Sequence, residues 1–374
     1  MSESRTFAHA MLREIYEQPA AIETTLGHYV DGDSLRAEFF GTAAECFLRH
    51  KDLVIAASGS SRHAGLAAEI MLEDAAGLSV DVEYASEYIC RSTHTKRDPA
   101  VLVISQSGET ADTLAALREA KRRGHPTMAV TNVATSTMMR EADVALPTLA
   151  GVERAIPATK SFTTQLVVLR LLSLLAAECR GASDAPDVRV QVAALRQIPA
   201  LMQQQLAAWE EQMHQLAEKY HAARTLLYLG RAVHYPIARE GALKLKESSY
   251  IHAEGYPSGE LKHGPNALVS DEVPLVILAT VDHADAESVL RYEKTIGLLD
   301  DLRIQRARTI AIGNTGDATL RALASDVVEV EPANEYTLPI YEVVTLQLFA
   351  YFMAVRNGVD VDRPRNLVKS VVRE

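Results

Sequence analysis

Short apolar runs alternate with amphipathic stretches over the first half of the chain. Apolar runs bounded by turn residues predict strands, and apolar residues at helical spacing predict the helices between them. The predicted strands lie at 52–58, 80–86, 100–105 and 126–132, and the predicted helices at 62–76, 111–124 and 159–179. Since strands that alternate with helices favour a parallel sheet covered on both faces, we expect an α/β fold.

The same order of elements restarts after a Gln-rich helical stretch at 195–221. Predicted strands at 225–230, 274–280 and 308–314 accompany a predicted helix at 235–251. Each half also runs from an Asp-Val strand through an irregular loop to a long apolar helix, at a separation of roughly 180 residues. This indicates duplication of one α/β domain, with the general similarity of α/β domains as the alternative. We place a helical segment at 1–34, the domains at 35–200 and 201–356, and a tail at 357–374.

The composition excludes several classes of protein. A hydrophobic content of 48% and a charged content of 23% are typical of a folded chain. The net charge of −11 would repel nucleic acid and anionic membranes, so an anionic ligand would need a local set of donors. Arg170 interrupts the longest apolar run, so we expect no membrane-spanning segment. The three cysteines lack metal-like spacing, and the charged N-terminus lacks a signal peptide, which favours the cytoplasm.

Two hydroxyl-rich loops follow predicted strands of the first domain. The sequence SQSGET begins at Ser105, and the sequence SGSS occupies 58–61. Free N–H groups at a helix start, hydroxyl donors and a close-approaching glycine are typical of a phosphate site without lysine or metal. The spacing excludes a P-loop and a GxGxxG motif, and His63 stands where the GxSxG elbow of α/β hydrolases needs glycine. We therefore predict a sugar-phosphate site, with ordinary helix caps as the alternative.

A second set of candidate residues lies in the other domain. Glu240, Lys244 and Glu247 fall on one face of a predicted helix, where a carboxylate beside a lysine would move protons on a sugar carbon. His263, in the loop GELKHGP, is suited to acid–base chemistry. Lys369, flanked by valines in the tail, would form a Schiff base with a ketone if it docks in a partly desolvated position. A solvated charged face, an exposed histidine and a frayed end are the alternatives.

With these segments in view, the sequence resembles the isomerase part of the glutamine–fructose-6-phosphate aminotransferases, also called glucosamine-6-phosphate synthases. The resemblance runs from LREIYEQPAAI near the N-terminus to PRNLVKSV near the C-terminus. It rests on SQSGETADTL, ATKSFTTQL, EGALKLKESSYIHAE and GELKHGP. It implies two flavodoxin-like domains of the sugar isomerase (SIS) type, each a doubly wound parallel sheet, and a homodimer with its sites near the interface.

The resemblance also implies a role for each candidate residue. Glu247 would shuttle a proton between C1 and C2 of the sugar, and His263 of the partner subunit would assist ring opening. Lys369 would form the Schiff base, while Lys244 and Glu240 would support proton transfer and sugar contacts. The phosphate would be bound by Ser61, Ser105, Gln106, Ser107 and Thr110.

The chain departs from the family pattern at three points. The family's glutaminase domain has a cysteine nucleophile at its N-terminus, whereas the first cysteine here is Cys46, so we expect no use of glutamine by this chain alone. Arg62 and His63 stand where the family often has Tyr and Asn, and Arg62 would contact the phosphate or point to solvent. Val368 replaces a usual alanine beside Lys369, where ammonia would arrive.

Together these observations predict an enzyme of amino sugar metabolism that needs no cofactor or metal. It would interconvert fructose 6-phosphate plus ammonia with glucosamine 6-phosphate, and deamination is the simplest direction for the chain by itself. The alternatives are a synthetic aminotransferase subunit served by a separate glutaminase, the isomerase domains of a longer synthase, isomerisation without nitrogen, and a non-catalytic sugar-phosphate sensor. A sensor would be expected to lack Glu247, His263 or Lys369, and all three are present.

Overall fold

Two five-stranded parallel sheets form the framework of the protein, whose structure is a computed structural model describing residues 5–91, 97–181 and 187–372. The strands in these ranges are β1 (Val30–Asp31), β2 (Ser34–Leu35), β3 (Asp52–Ala57), β4 (Ser79–Tyr84), β5 (Ala100–Ser105), β6 (Thr127–Thr131), β7 (Val144–Pro147), β8 (Thr225–Gly230), β9 (His252–Pro257), β10 (Leu275–Leu278), β11 (Thr309–Asn314) and β12 (Asp326–Val330).

Helices connect these strands within the same described ranges. They are α1 (Ala10–Tyr16), α2 (Gln18–Tyr29), α3 (Ala43–Arg49), α4 (Gly59–Ala76), α5 (Ala85–Cys90), α6 (Ala111–Arg122), α7 (Thr137–Glu141), α8 (Lys160–Arg180), α9 (Val188–Tyr220), α10 (His234–Ser249), α11 (Ala286–Ile304), α12 (Ala318–Leu323) and α13 (Leu338–Arg356). Short 3₁₀ helices span Ala37–Phe40, Ser258–His263 and Pro265–Leu268.

The two sheets share one topology. Their strand orders are β4-β3-β5-β6-β7 and β9-β8-β10-β11-β12, and all neighbouring strands are parallel. In each sheet the chain first extends to one side of its starting strand, β3 or β8, and then to the other side, which creates a switch point where ligands of open α/β sheets bind. This point lies between β3 and β5 in the first sheet and between β8 and β10 in the second. The predicted fold, a doubly wound parallel sheet present twice, is confirmed.

The chain divides into two compact units, each built around one sheet. The unit around β3–β7, which we call the N-sheet unit, comprises Ala20–Gly151, Ser161–Pro199 and Ser370–Glu374. The unit around β8–β12, the C-sheet unit, comprises Met1–Pro19, Val152–Lys160 and Ala200–Lys369. The irregular segment Val152–Lys160 therefore belongs with the second sheet, although it follows a strand of the first.

Two long apolar helices, α8 and α13, belong to the cores of their units. By length and composition alone both could cross a membrane, but most of their residues are buried within the protein, as in core helices of soluble proteins. Arg170 was expected to interrupt the apolar run, but α8 is long and apolar enough to cross a membrane even with this arginine in it. The guanidinium is itself buried and donates hydrogen bonds to Ser173 and Gln191.

Two local features differ from the sequence-based expectations. Strand β9 has the sequence HAEGYP, whose Gly, Pro and charged residues have low strand propensity, so its pattern did not predict a strand. It forms at the sheet edge by pairing with β8, where proline is tolerated. The segment GELKHGP, predicted as a loop, lies in the 3₁₀ helices Ser258–His263 and Pro265–Leu268.

Candidate functional site

The two hydroxyl-rich loops of the N-sheet unit follow adjacent strands. Strands β3 and β5 pair directly, with Ala57 opposite Ile104, so the loops that leave their carboxyl ends flank the switch point. Ser61 lies in the first turn of α4 and is buried, and its Oγ accepts a hydrogen bond of 3.1 Å from Nε2 of Gln165. The first loop is therefore tied to helix α8 of the same unit.

The second loop brings Ser105 and Thr110 together. Their hydroxyl oxygens lie 3.0 Å apart, and the Gly108 N–H donates to Ser105 Oγ at 3.2 Å. Thr110 occupies the N-cap position of α6, but its side chain does not cap the helix. Its hydroxyl is therefore not used in satisfying the helix N–H groups and is paired instead with the hydroxyl of Ser105.

The glycine of SQSGET is required by the backbone as well as by space. Gly108 has φ +65°, a left-handed conformation that other residues rarely adopt. A Cβ at this position would also lie within 2.5 Å of the Ser136 side chain. The loop backbone therefore lies close to Ser136 at the start of α7. The sequence predicted a close approach of this glycine to a ligand, and the structure shows a close approach to the protein.

The remaining predicted phosphate ligands lie on the same loop. The Gln106 carbonyl accepts from the Asn132 N–H at 3.1 Å, which fixes the loop to the strand that follows. The Ser107 hydroxyl lies 2.9 Å from the hydroxyl of Ser370, in the C-terminal segment of this unit. The Ala111 N–H, at the start of α6, donates to the carbonyl of Val371 in that segment.

Arg62 is turned toward strand β4 rather than left in solvent. Its guanidinium stacks on the ring of Tyr84 at 3.8 Å and donates to the carbonyl of Val82. The sequence analysis expected Arg62 to contact a phosphate or to point to solvent, and it did not predict these contacts with β4. They show instead that the arginine packs on an aromatic face.

The C-sheet unit brings Glu240, Lys244 and Glu247 together on α10, as their spacing predicted. Nζ of Lys244 lies 2.5 Å from Oε2 of Glu247 and 3.5 Å from Oε1 of Glu240. Lys244 and Glu240 are fully buried, whereas the Glu247 side chain is 22% exposed. Of the two carboxylates, Glu247 is therefore the one that solvent or a ligand can reach. Lys246, which the spacing places elsewhere, is exposed.

The electrostatics of this group keep the lysine charged. Burial alone would lower the pKa of Lys244, but the carboxylates of Glu247 and Glu240 raise it above its ordinary value. Because the charges are buried and close, their attraction is stronger than that of an exposed pair. The ammonium ion therefore holds the Glu247 carboxylate in one position.

Lys369 is ordered by two contacts within the C-sheet unit. Its Nζ lies 2.5 Å from Oε2 of Glu153 and donates to the carbonyl of Ala155 at 2.7 Å. Residues 357–372 contain no helix or strand, in agreement with the lack of periodicity in the sequence. The lysine is nevertheless held in place, which the interpretation as a frayed end did not predict.

Glu153 was not among the candidate residues from the sequence. It lies in GVERAIPATK, within the irregular segment that precedes α8. The sequence offered one signal for it, an acidic residue in a loop beside the motif ATKSFTTQL. No rule of spacing relates such a residue to a lysine more than 200 positions away. Only the folded chain brings Glu153 and Lys369 together.

His263 is a further candidate residue in the C-sheet unit. It is exposed at the end of the 3₁₀ helix Ser258–His263. Within the described ranges, no hydrogen bond or ion pair joins its ring to Glu247 or Lys369. Among the same residues, no cluster of three or more His, Cys, Asp or Glu side chains is arranged to hold a metal ion.

The repeated fold and its loops define a double-domain α/β protein with a hydroxyl-rich switch point in one domain and a buried acid–lysine group in the other. The SIS domain model matches residues 47–175 and 219–356, and the chain belongs to this family.

The relatives point to one group within the family. The chain is 42% identical over its whole length to the glutamine–fructose-6-phosphate aminotransferase (isomerizing) of Aquifex aeolicus, and 42% identical to that of a Thermus thermophilus strain. It spans 59% and 60% of these two proteins. It is also similar to the solved C-terminal domain of glucosamine-fructose-6-phosphate aminotransferase from Francisella tularensis. The TM-score is 0.88 and the identity 36%, covering 96% of this chain and 99% of that one.

Proposed function

We propose that the chain is an amino-sugar-phosphate isomerase that interconverts fructose 6-phosphate plus ammonia with glucosamine 6-phosphate. The observation that carries this proposal is the arrangement of Glu247 on the buried Lys244. A reachable carboxylate held by a fixed ammonium ion is suited to moving a proton between adjacent sugar carbons. The names of the relatives support the choice of substrate.

We propose a role for the candidate residues of each unit in turn. We assign the 6-phosphate to the loops of the N-sheet unit, through Ser61, Ser105, Gln106, Ser107 and Thr110. In the C-sheet unit, Glu247 would transfer the proton between C1 and C2, with Lys244 and Glu240 supporting it. Lys369 would form a Schiff base with the keto sugar, and its contact with a carboxylate supports a role in proton-coupled chemistry.

A homodimer would complete the catalytic set. The exposed position of His263 supports its assignment to a dimer contact, in which His263 of the partner subunit would assist ring opening. We expect no nucleic-acid or membrane partner, given the negative net charge.

The direction of the reaction has two candidates. For the chain acting by itself we propose deamination, because release of ammonia needs no ammonia donor. Synthesis is the second candidate, and the name of the relatives favours it, since an aminotransferase consumes glutamine-derived nitrogen. In that case a glutaminase, as a further domain or as a separate chain, would supply the ammonia.

The test measures two activities of the purified chain in the absence of glutamine. One is release of ammonia from glucosamine 6-phosphate, and the other is exchange of the C1 protons of fructose 6-phosphate with deuterated solvent. Release with accumulation of fructose 6-phosphate is the expected result for deamination. Exchange without release would indicate the synthetic enzyme, which awaits an ammonia donor.

The variant Glu247→Gln separates an enzyme from a sensor. We expect it to lower both activities by about 100-fold or more, as is usual for loss of a general base, with little change in sugar-phosphate affinity. Lys246→Gln, at an exposed position of the same helix, is the matched control. Tight binding of fructose 6-phosphate by the wild-type chain, with neither release nor exchange, would establish the sensor and overturn the proposal.

A further inference from the structure

Lys369 is paired with a carboxylate that has no solvent access. The Glu153 side chain is 0% exposed, whereas the Lys369 side chain is 25% exposed. Oε2 of Glu153 lies 2.5 Å from Nζ, so the two groups are in direct hydrogen-bond contact, and both carry charge. The reactive nitrogen thus faces a buried proton acceptor on one side and remains reachable on another.

The position of this carboxylate is fixed by the backbone around it. Oε1 of Glu153 accepts a hydrogen bond of 3.0 Å from the Thr159 N–H, within the same segment. The segment is held in turn by Glu14, whose carboxylate accepts from the N–H groups of Arg154 and Ala155 at 2.6 and 3.2 Å. Glu153 therefore keeps its contact with Nζ without relying on a flexible loop.

An ammonium ion cannot attack a ketone, so Lys369 must lose a proton before it forms a Schiff base. The Ala155 carbonyl accepts a hydrogen bond from Nζ but is not basic enough to take the proton. In the described ranges, Glu153 is the carboxylate within hydrogen-bond distance of Nζ, and Glu240 and Glu247 contact Lys244 instead. The geometry thus leaves one proton acceptor for this lysine among the described residues.

We propose that Glu153 accepts the proton of the Lys369 ammonium ion and returns it when the carbinolamine loses water. This inference rests on the proposed function, because it needs a keto sugar that reacts with Lys369. It adds a proton-transfer residue that is distinct from Glu247, the residue assigned to the sugar carbons.

The proposed steps balance in atoms and charge. The proton passes from the ammonium ion to the carboxylate, and the free amine attacks C2, so that an N–C bond forms while the C=O π pair moves to oxygen. A proton moves from nitrogen to that oxygen and gives the neutral carbinolamine. The Glu153 carboxyl group then protonates the hydroxyl, the C–O bond breaks and water leaves. A protonated imine remains, paired with the restored carboxylate.

The test measures the rate of imine formation at Lys369 in the full chain. Fructose 6-phosphate and sodium borohydride are added together, and the reduced adduct on the Lys369 peptide is quantified by mass spectrometry over time. We expect Glu153→Gln to slow adduct formation by roughly 100-fold or more, while the affinity for fructose 6-phosphate changes by less than about 3-fold. Glu153→Asp, which keeps a carboxylate, is expected to recover part of the rate.

Glu14→Gln is the matched control. It alters a buried carboxylate that holds the same segment and lies near Lys369 without a hydrogen bond to Nζ, so it reports the effect of loosening the segment and of removing a nearby charge. Equal slowing by Glu14→Gln and Glu153→Gln, or failure of Glu153→Asp to exceed Glu153→Gln, would overturn the inference. Rapid adduct formation in Glu153→Gln would overturn it as well, while leaving the Schiff base intact. Absence of any adduct in the wild-type chain would overturn the Schiff base at Lys369 and the inference with it, whereas the proposed function itself is overturned by the absence of both ammonia release and C1 proton exchange.

Discussion

The carboxyl edges of the two sheets have the same topology but different chemistry. Between β3 and β5 the chain places neutral hydroxyls, among them those of Ser105 and Thr110. At the matching edge, between β8 and β10, it places charged groups that contact one another. His234, at the start of α10, has Nδ1 2.9 Å from the Glu342 carboxylate and Nε2 3.3 Å from that of Glu335.

Further donors complete this buried network in the C-sheet unit. The Thr280 hydroxyl, which follows β10, donates to Glu342 at 2.5 Å. On α11, Ser288 donates to Glu335 at 2.5 Å, and Nη2 of Arg291 forms an ion pair with the same carboxylate at 2.7 Å. Because Thr280, Ser288 and His234 already have carboxylate partners, these three side chains have little capacity for an external anion.

The pKa values of the network follow from these contacts. Burial alone would lower the pKa of His234, but Glu342 and Glu335 raise it to about 10. Burial alone would raise the pKa of Glu335, but His234, Ser288 and Arg291 lower it to about 2. The imidazolium and the carboxylate are therefore both charged over the physiological range of pH.

This difference teaches how one duplicated edge can serve two purposes. The hydroxyls at the first edge are neutral, so no charge is left unbalanced when the edge is empty. They are therefore suited to binding an anion reversibly. At the second edge the protein's own carboxylates, those of Glu335 and Glu342, already pair with the side chains of His234, Thr280 and Ser288. We expect phosphate to bind at the first edge, and the network at the second to contribute to stability.

The largest effect is expected from breaking the network. Glu342→Ala removes the acceptor of both Thr280 and His234, and should lower the free energy of unfolding by about 3–5 kcal/mol, as for other broken buried pairs. Urea unfolding measures the change. Glu329→Ala, at a partly exposed ion pair with Arg321, is the control and should cost less than about 1 kcal/mol.

The same variant sharpens the comparison. If the Glu342 carboxylate stands in for an anion, acetate should restore part of the stability of Glu342→Ala by refilling the site, and should not stabilise the wild-type protein. A loss of stability below about 1 kcal/mol in Glu342→Ala would show that the second edge does not depend on this charge.

The next largest effect is expected at the first edge. Ser105→Ala combined with Thr110→Ala removes two donors and should weaken binding of fructose 6-phosphate by roughly 3 kcal/mol, or about 100-fold, since hydrogen bonds to charged groups are the strong ones. Isothermal titration calorimetry measures the affinity. The control, Thr280→Val combined with Ser288→Ala, removes two hydroxyls of the second edge and should leave the affinity unchanged. Unchanged binding in the Ser105 and Thr110 double variant would refute the assignment of phosphate to this loop.

Much of the first edge could be predicted from the sequence because its determinants are local. Each loop directly follows a strand with an apolar run, and the hydroxyls and Gly108 lie within six residues of one another. The face formed by Glu240, Lys244 and Glu247 was predictable for the same reason, since helical spacing alone brings them together.

The long-range contacts of the C-sheet unit could not be predicted because they join distant parts of the chain. His234 and Glu342 are 108 positions apart, and Glu153 and Lys369 are 216 positions apart. No periodicity relates such residues, and only the packing of α10 against α13 brings the first pair together. The edge strand β9 was missed for a related reason, as its pairing with β8 outweighs its low strand propensity.

The smallest effect concerns the pH dependence of stability at the second edge. Below its ordinary pKa of 6.5, His234 is protonated in both the folded and the unfolded chain, and its contribution is fully present. As pH rises from about 6.5 toward about 10, the unfolded chain loses the proton while the folded protein keeps it, so the contribution is progressively lost. The stability advantage of the wild-type protein over His234→Gln should therefore shrink with rising pH, by at most about 1.4 kcal/mol per unit. Urea unfolding of both proteins at about pH 6, 7, 8 and 9 measures the difference between their free energies of unfolding. Thr280→Val changes the same network without removing a titrating group. It should lower the stability by an amount that does not change with pH. A constant difference between wild type and His234→Gln would show that the imidazole is neutral in the folded protein, and the contrast between a charged and an uncharged edge would then be lost.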